Sequence, residues 1–96
     1  MQFEWDEAKN ESNIRIHGID FTDAWQLFEF PMAVALDDSK DYGEDRWIGI
    51  GLLQGRVVVV VFTEREDAIR IISLRKALTH EQSQYEQFLK DRLGQG

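Results

Sequence analysis

Two arginines, Arg70 and Arg75, interrupt the apolar run AIRIISLRKAL in a chain of 96 residues. Guanidinium stays charged and is costly to bury, so a strand that carries two of them either ends at a wet edge or presents them to an anion. Elsewhere the chain scatters Lys9, His17, Glu44, Arg46 and Tyr85. As a set, these are the parts that cutting RNA without a metal requires. One group takes the proton from a ribose 2′-hydroxyl, cations meet the charge that develops at phosphorus, and an acid serves the leaving oxygen. Taken singly, each is ordinary: a histidine beside a helix-ending glycine is commonly a cap or surface residue, and a tyrosine commonly buries its ring with the hydroxyl at a rim. The chain carries no phosphate-binding glycine loop, no HExxH and no nucleophile elbow. The acids of LDDSKDYGEDR have the ligand type that magnesium takes, but neighbouring Asp and Glu on a loop are usually solvated turn residues. Neither a metal nor a cofactor is expected.

Positioning these groups falls to a few short elements. FEWD reads as a strand that ends at Asp6, an N-cap for a helix over 7–17 that stops at Gly18. On that helix Lys9, Asn13 and His17 share a face, which a solvated flank would explain as well as a site would. A second helix starts with Asp20 or Thr22 as its cap and places Phe21, Trp25 and Phe28 on one stripe, read as core. MAVALD is a further strand. RWIGIGLLQGRVVVVVF is a hairpin around Gln54-Gly55, which sets Ile48, Ile50 and Leu52 opposite Val61, Val59 and Val57. The other side has Gly49 and Gly51 opposite Val60 and Val58, a shallow surface for a closely packed helix or for a ligand.

AIRIISLR then lies antiparallel beside 57–63. Strict alternation separates its arginines, with Arg70 on one face and Ser73 and Arg75 on the other, unless twist or a bulge brings them to a common rim. A last helix begins at Thr79, with Gln82 completing a capping box, and runs to about Leu93. The tail from about residue 94 should fray. The fold class is α+β: a central antiparallel sheet of three to four strands, helices toward the N-terminus and one at the C-terminus.

Size and charge narrow the function. The length suits one domain over 1–96, and eleven aromatic residues with a single proline suit an ordered one. Without cysteine there is no disulfide framework or thiolate site. No signal peptide or membrane span is legible, so a cytoplasmic location is expected. The formal net charge of −7 repels nucleic acid at long range. That charge is uneven: residues 1–48 hold twelve acids against four bases, and residues 49–96 hold six against seven. A locally basic site therefore fits the second half.

Three stretches, FEWDEAKNESNIRIHGIDF, DYGEDRWIGIG and RIISLRKA, resemble in order and spacing the BrnT family of toxins from type II toxin–antitoxin systems. The resemblance covers about residues 2–86. It implies a RelE-like ribonuclease fold, metal-free RNA cleavage that blocks translation and growth, and a BrnA-type antitoxin. That small DNA-binding partner would silence the toxin in a hetero-oligomer and repress their shared operon. Matching positions are Trp5, Asp6, Lys9, Asn13 and His17, then Gly43, Glu44 and Arg46, then Arg70, Ser73 and Arg75. On this reading Arg46, Arg70 and Arg75 are the phosphate and transition-state cations, and His17 or Glu44 handles the proton. Lys9, Asn13, Ser73 and Tyr85 bind RNA or support the site. The chain departs from the family pattern at Ile16, where a lysine is usual, and at Leu74, where an alanine is usual. The rival reading is a noncatalytic or decayed BrnT-like protein whose acidic surface grips an antitoxin or another basic partner; on either reading the partner contact is expected at a sheet edge or on the glycine face.

Overall fold

The computed structural model describes residues 1–38 and 40–94, so Gln95 and Gly96 of the tail expected to fray lie outside the described residues. Strand β1 (Gln2–Trp5) leads into helix α1 (Glu7–His17). Asp6 caps that helix by accepting the Lys9 backbone N–H at 3.1 Å. Gly18 ends it at φ 70°, donating its N–H to the Ile14 carbonyl at 2.8 Å. A 3-10 helix (Phe21–Glu29) follows with Asp20 as its cap. Next come β2 (Ala33–Asp37), β3 (Arg46–Leu53), β4 (Arg56–Arg65), β5 (Ala68–Lys76) and helix α2 (Thr79–Gly94).

The sheet has five strands in the order β1-β5-β4-β3-β2, and it is mixed. This corrects the expected antiparallel sheet of three to four strands, because β1 joins the edge parallel to β5. A four-residue strand at the start of the chain carries no local sign of a partner more than sixty positions away. The β3–β4 register is the one read from the sequence, Ile48 against Val61 through Leu52 against Val57. Gln54 (φ 52°) and Gly55 (φ 81°) supply the two left-handed residues that a two-residue hairpin turn of matching twist needs.

The core lies on the glycine-bearing face. Val58, Val60 and Phe62 of β4 and Ile69, Ile71 and Leu74 of β5 bury against Phe21, Ala24 and Leu27. Those last three recur every third residue because the segment is a 3-10 helix, with three residues per turn. Trp25, expected in the core on an α-helical stripe, is turned outward and is 48% exposed. The glycine face is closed as well: a Cβ on Gly49 would stand 2.7 Å from Met32 Sδ, and one on Gly51 would stand 3.1 Å from Leu27 Cδ2. Close packing fills that surface, which removes it as a docking face.

On the opposite, outer face, α2 packs against β3. Its buried Tyr85 stacks on Phe88 and donates its hydroxyl to the Pro31 carbonyl at 2.8 Å. The start of α2 differs from the expected capping box of Thr79 with Gln82. Leu78 occupies the cap position, its carbonyl taking the Gln82 N–H at 2.9 Å, and Glu81 accepts the Leu78 N–H at 2.8 Å. Only the carboxylate half of a capping box is present, one residue earlier than read.

Candidate functional site

The site depends on one irregularity in β5. Val61 pairs with Ser73 and Phe62 with Ile71, so Ile72 is an extra residue bulged out of the ladder. Alternation restarts after it. Arg70, Ser73 and Arg75 lie opposite Thr63, Val61 and Val59, all on the outer face, instead of being divided between faces. The row spans about four ladder steps, roughly 13 Å. Arg46, at the start of β3, continues the register beyond the Trp47–Phe62 pair and flanks Thr63 from the other side.

Around the first end of that row the charges gather. Arg46 stacks on the Tyr42 ring at 3.8 Å. Glu44, on the exposed loop before β3, accepts from Arg65 Nη2 at 2.9 Å. The Glu44 carboxyl is held below its ordinary range, first by that hydrogen bond, then by the charges of Arg65, Arg46 and Arg70. The Arg70 side chain is half-buried and makes no hydrogen bond or ion pair among the described residues. Glu44 feels the charge of Arg70 and Glu4 is its register partner on β1, yet neither closes an ion pair with it, so the donors of this half-buried guanidinium stay open to an anion that comes from outside.

The second end of the row is organised differently. Arg75 makes a two-pronged pair with Glu81, at 2.8 and 2.9 Å, and also reaches the Lys76 carbonyl at 3.3 Å. The Arg75 hydrogen bond is the largest of the influences that push the Glu81 carboxyl down to about 2. Exposed His17 belongs to this end, lining one hollow with Lys9, Asn13 and Ile72 and a neighbouring one with Arg75 and Lys76. Ile16 is exposed beside it. The nominated residues thus form two groups, with Glu44, Arg46 and Arg70 in one and Lys9, His17 and Arg75 in the other.

Two of the nominated residues are structural supports. Asn13 is buried and donates to the Ile19 and Leu74 carbonyls at 2.9 and 2.8 Å, while its own oxygen accepts the Leu74 N–H at 3.2 Å. It thereby satisfies β5 where β1 has ended, as a missing strand would. Tyr85 is tied to Pro31 and buried, and burial raises its pKa. Ser73, half-buried in mid-row, makes no side-chain hydrogen bond among the described residues.

A family description, the ribonuclease toxin BrnT of type II toxin–antitoxin systems, matches residues 5–81. The chain belongs to that family. No curated protein matches it. A BrnT toxin of a type II system has an antitoxin as its partner. The match runs from Trp5, the last residue of β1, to the first turn of α2 and so includes both charged groups. Two residues of the outer face, Thr63 and Arg65, were not singled out from the sequence. The signal was there, since period-two reading carried past Phe62 through TER puts both on the side of Arg46. Among the described residues no three His, Asp or Glu side chains form a metal-binding group, and no helix is long and apolar enough to cross a membrane.

Proposed function

We propose that this BrnT-family chain is a cytoplasmic, RelE-like endoribonuclease that cuts RNA without a metal ion. Arg70 and Arg46 grip the scissile phosphodiester from either side of Thr63. The ribose 2′-oxygen attacks phosphorus, the bond to the 5′-oxygen breaks, and the two guanidinium groups take up the added negative charge of the phosphorane. Glu44 accepts the 2′-hydroxyl proton. Its basicity is low in the free protein because cations surround it, and it rises as the incoming phosphate competes for those cations. Water at this exposed rim returns a proton to the 5′-oxygen. His17, Lys9 and Arg75, at the other end of the row, hold the next stretch of the RNA.

The observation that carries the reading is Arg70: half-buried, without an ion-pair partner among the described residues, and on one face with Arg46 and Glu44. In a cleavage assay on single-stranded RNA with EDTA present, the wild-type chain should cut. Arg70→Ala should cut about a hundredfold more slowly, as loss of one transition-state donor commonly costs, with an unchanged melting temperature. Cleavage that stops in EDTA and returns with magnesium would refute the metal-free route. An unaffected Arg70→Ala would refute the site.

The partner is proposed to be a BrnA-type antitoxin that binds DNA and assembles with the toxin as a hetero-oligomer. With the glycine face filled, the sheet edge is the expected contact, at β2, where Val34 and Leu36 are each 47% exposed. A second reading, a noncatalytic antitoxin-binding module, is favoured by the engagement of Arg75 with Glu81 and of Arg65 with Glu44, which occupies two of the cations. Growth arrest on induced expression, relieved by Arg70→Ala and by co-expressed antitoxin, separates the two readings.

A further inference from the structure

Thr63 is 1% exposed, and its Oγ1 is the only fully buried side-chain polar atom without a hydrogen-bond partner among the described residues. Its place on β4 makes that omission unusual. The strand supplies five consecutive valines, Val57 to Val61, and a valine at 63 would fill nearly the same volume with nothing left unsatisfied. The orphan hydroxyl lies on the outer face, between Arg70 across β5 and Arg46 across β3. Its two flanking cations are both half-buried, and Arg46 is parked on Tyr42. A buried hydroxyl without a partner among the described residues, in register between Arg70 and Arg46, offers an entering anion a neutral donor beside two cations.

We infer that the Thr63 hydroxyl is a donor to the RNA phosphate, the third group of the cradle formed with Arg46 and Arg70. The inference rests on the ribonuclease reading above and adds to it a neutral donor at the floor of the site. In the free protein the hydroxyl is covered. Phosphate entry draws the guanidinium ends of Arg46 and Arg70 onto its oxygens, and one oxygen reaches the hydroxyl beneath them. Threonine suits that place because its hydroxyl donates without adding charge, while its methyl group keeps the packing of the valines before it.

The test compares the full-length wild type with Thr63→Val and Thr63→Ser by three readouts. These are the cleavage rate on single-stranded RNA, the Kd for the same sequence made uncleavable by 2′-O-methylation, and the melting temperature. Thr63→Val should melt at or above the wild-type temperature, since it loses no internal hydrogen bond, and should bind the uncleavable RNA about tenfold more weakly. Thr63→Ser should bind within about twofold of wild type. Wild-type binding by Thr63→Val would overturn the inference, and so would a lower melting temperature for it, which would reveal an internal partner for the hydroxyl. If the wild type cuts no RNA, the ribonuclease reading fails by itself, and the Kd comparison still decides whether Thr63 touches a phosphate. No binding by any of the three proteins would overturn both.

Discussion

Glu81 does two things with one carboxylate: it takes the N–H of Leu78 at the head of α2 and clamps Arg75 at the end of β5. That makes Arg75 a joint between sheet and helix as well as a cation of the outer face. Because the Glu81 pKa is depressed to about 2 in the folded chain, its contribution to stability is fully present above the unfolded value, about 4.3, and is lost as pH falls toward 2. Arg75 keeps 37% of its side chain exposed, so solvent screening limits the pair to about 1–2 kcal/mol. Glu81→Gln should therefore lower the midpoint of thermal unfolding at pH 7 by about 4–10 °C. The gap between wild type and variant should close between pH 4 and pH 2. A gap of equal size at pH 2.5 would show that the charge of Glu81 is not what the helix start depends on. Arg70, by contrast, has no ion pair to lose, and for that reason Arg70→Ala is the cleaner probe of activity.

Elements decide where those residues point. One bulged residue, Ile72, reverses the alternation of β5 and turns two arginines from opposite faces onto one. The inner face tolerates less change. Gly49 lets Met32 lie against β3, and an added Cβ would stand 2.7 Å from Met32 Sδ and 3.2 Å from Val60 Cγ1. Methionine can yield, but a valine in a paired strand cannot move far. Gly49→Ala should cost about 1–2 kcal/mol, measured by urea unfolding, and should leave RNA binding on the other face unaltered once folded protein is compared. An increase in stability would mean that the packing around Met32 is looser than these distances indicate. Helix α1 follows a related economy: it buries Asn10 and Asn13 and shows Ile14 and Ile16 to solvent. The two amides complete backbone hydrogen bonds, Asn10 for Phe21 and Asn13 for Leu74.

At the scale of the whole molecule, a net charge of −7 opposes an anionic substrate, so the basic outer face acts at short range only. Four cations proposed to meet RNA phosphates, Lys9, Arg46, Arg70 and Arg75, set the expected salt dependence. The logarithm of the binding constant for uncleavable single-stranded RNA should fall with the logarithm of salt at a slope of about −3 between 50 and 200 mM. A slope near −5 would require cations beyond this row and a wider footprint. An acidic body with a small basic face also suits a toxin that is covered by a partner, since the same surface that repels free RNA attracts a protein with basic segments.

The sequence by itself determined the parts governed by near neighbours. Asp6 and Gly18 bound the first helix, Gln54-Gly55 set the hairpin register, and the order of elements followed from period and punctuation. Each depends on contacts within a few residues or on a turn that fixes its own flanks. Tertiary structure alone decided the rest. The pairing of β1 beside β5 closes a loop of more than sixty residues, and its stability comes from the assembled sheet, which no local pattern encodes. The 3-10 winding that turned Trp25 outward lets Phe21, Ala24 and Leu27 reach the core together. The bulge at Ile72 reconciles Leu74 and Ile71, both of which must face the core, and Arg70 and Arg75 come to one face as its consequence. Chemistry-bearing residue types were legible in the sequence, but their common face followed from a packing requirement on their apolar neighbours.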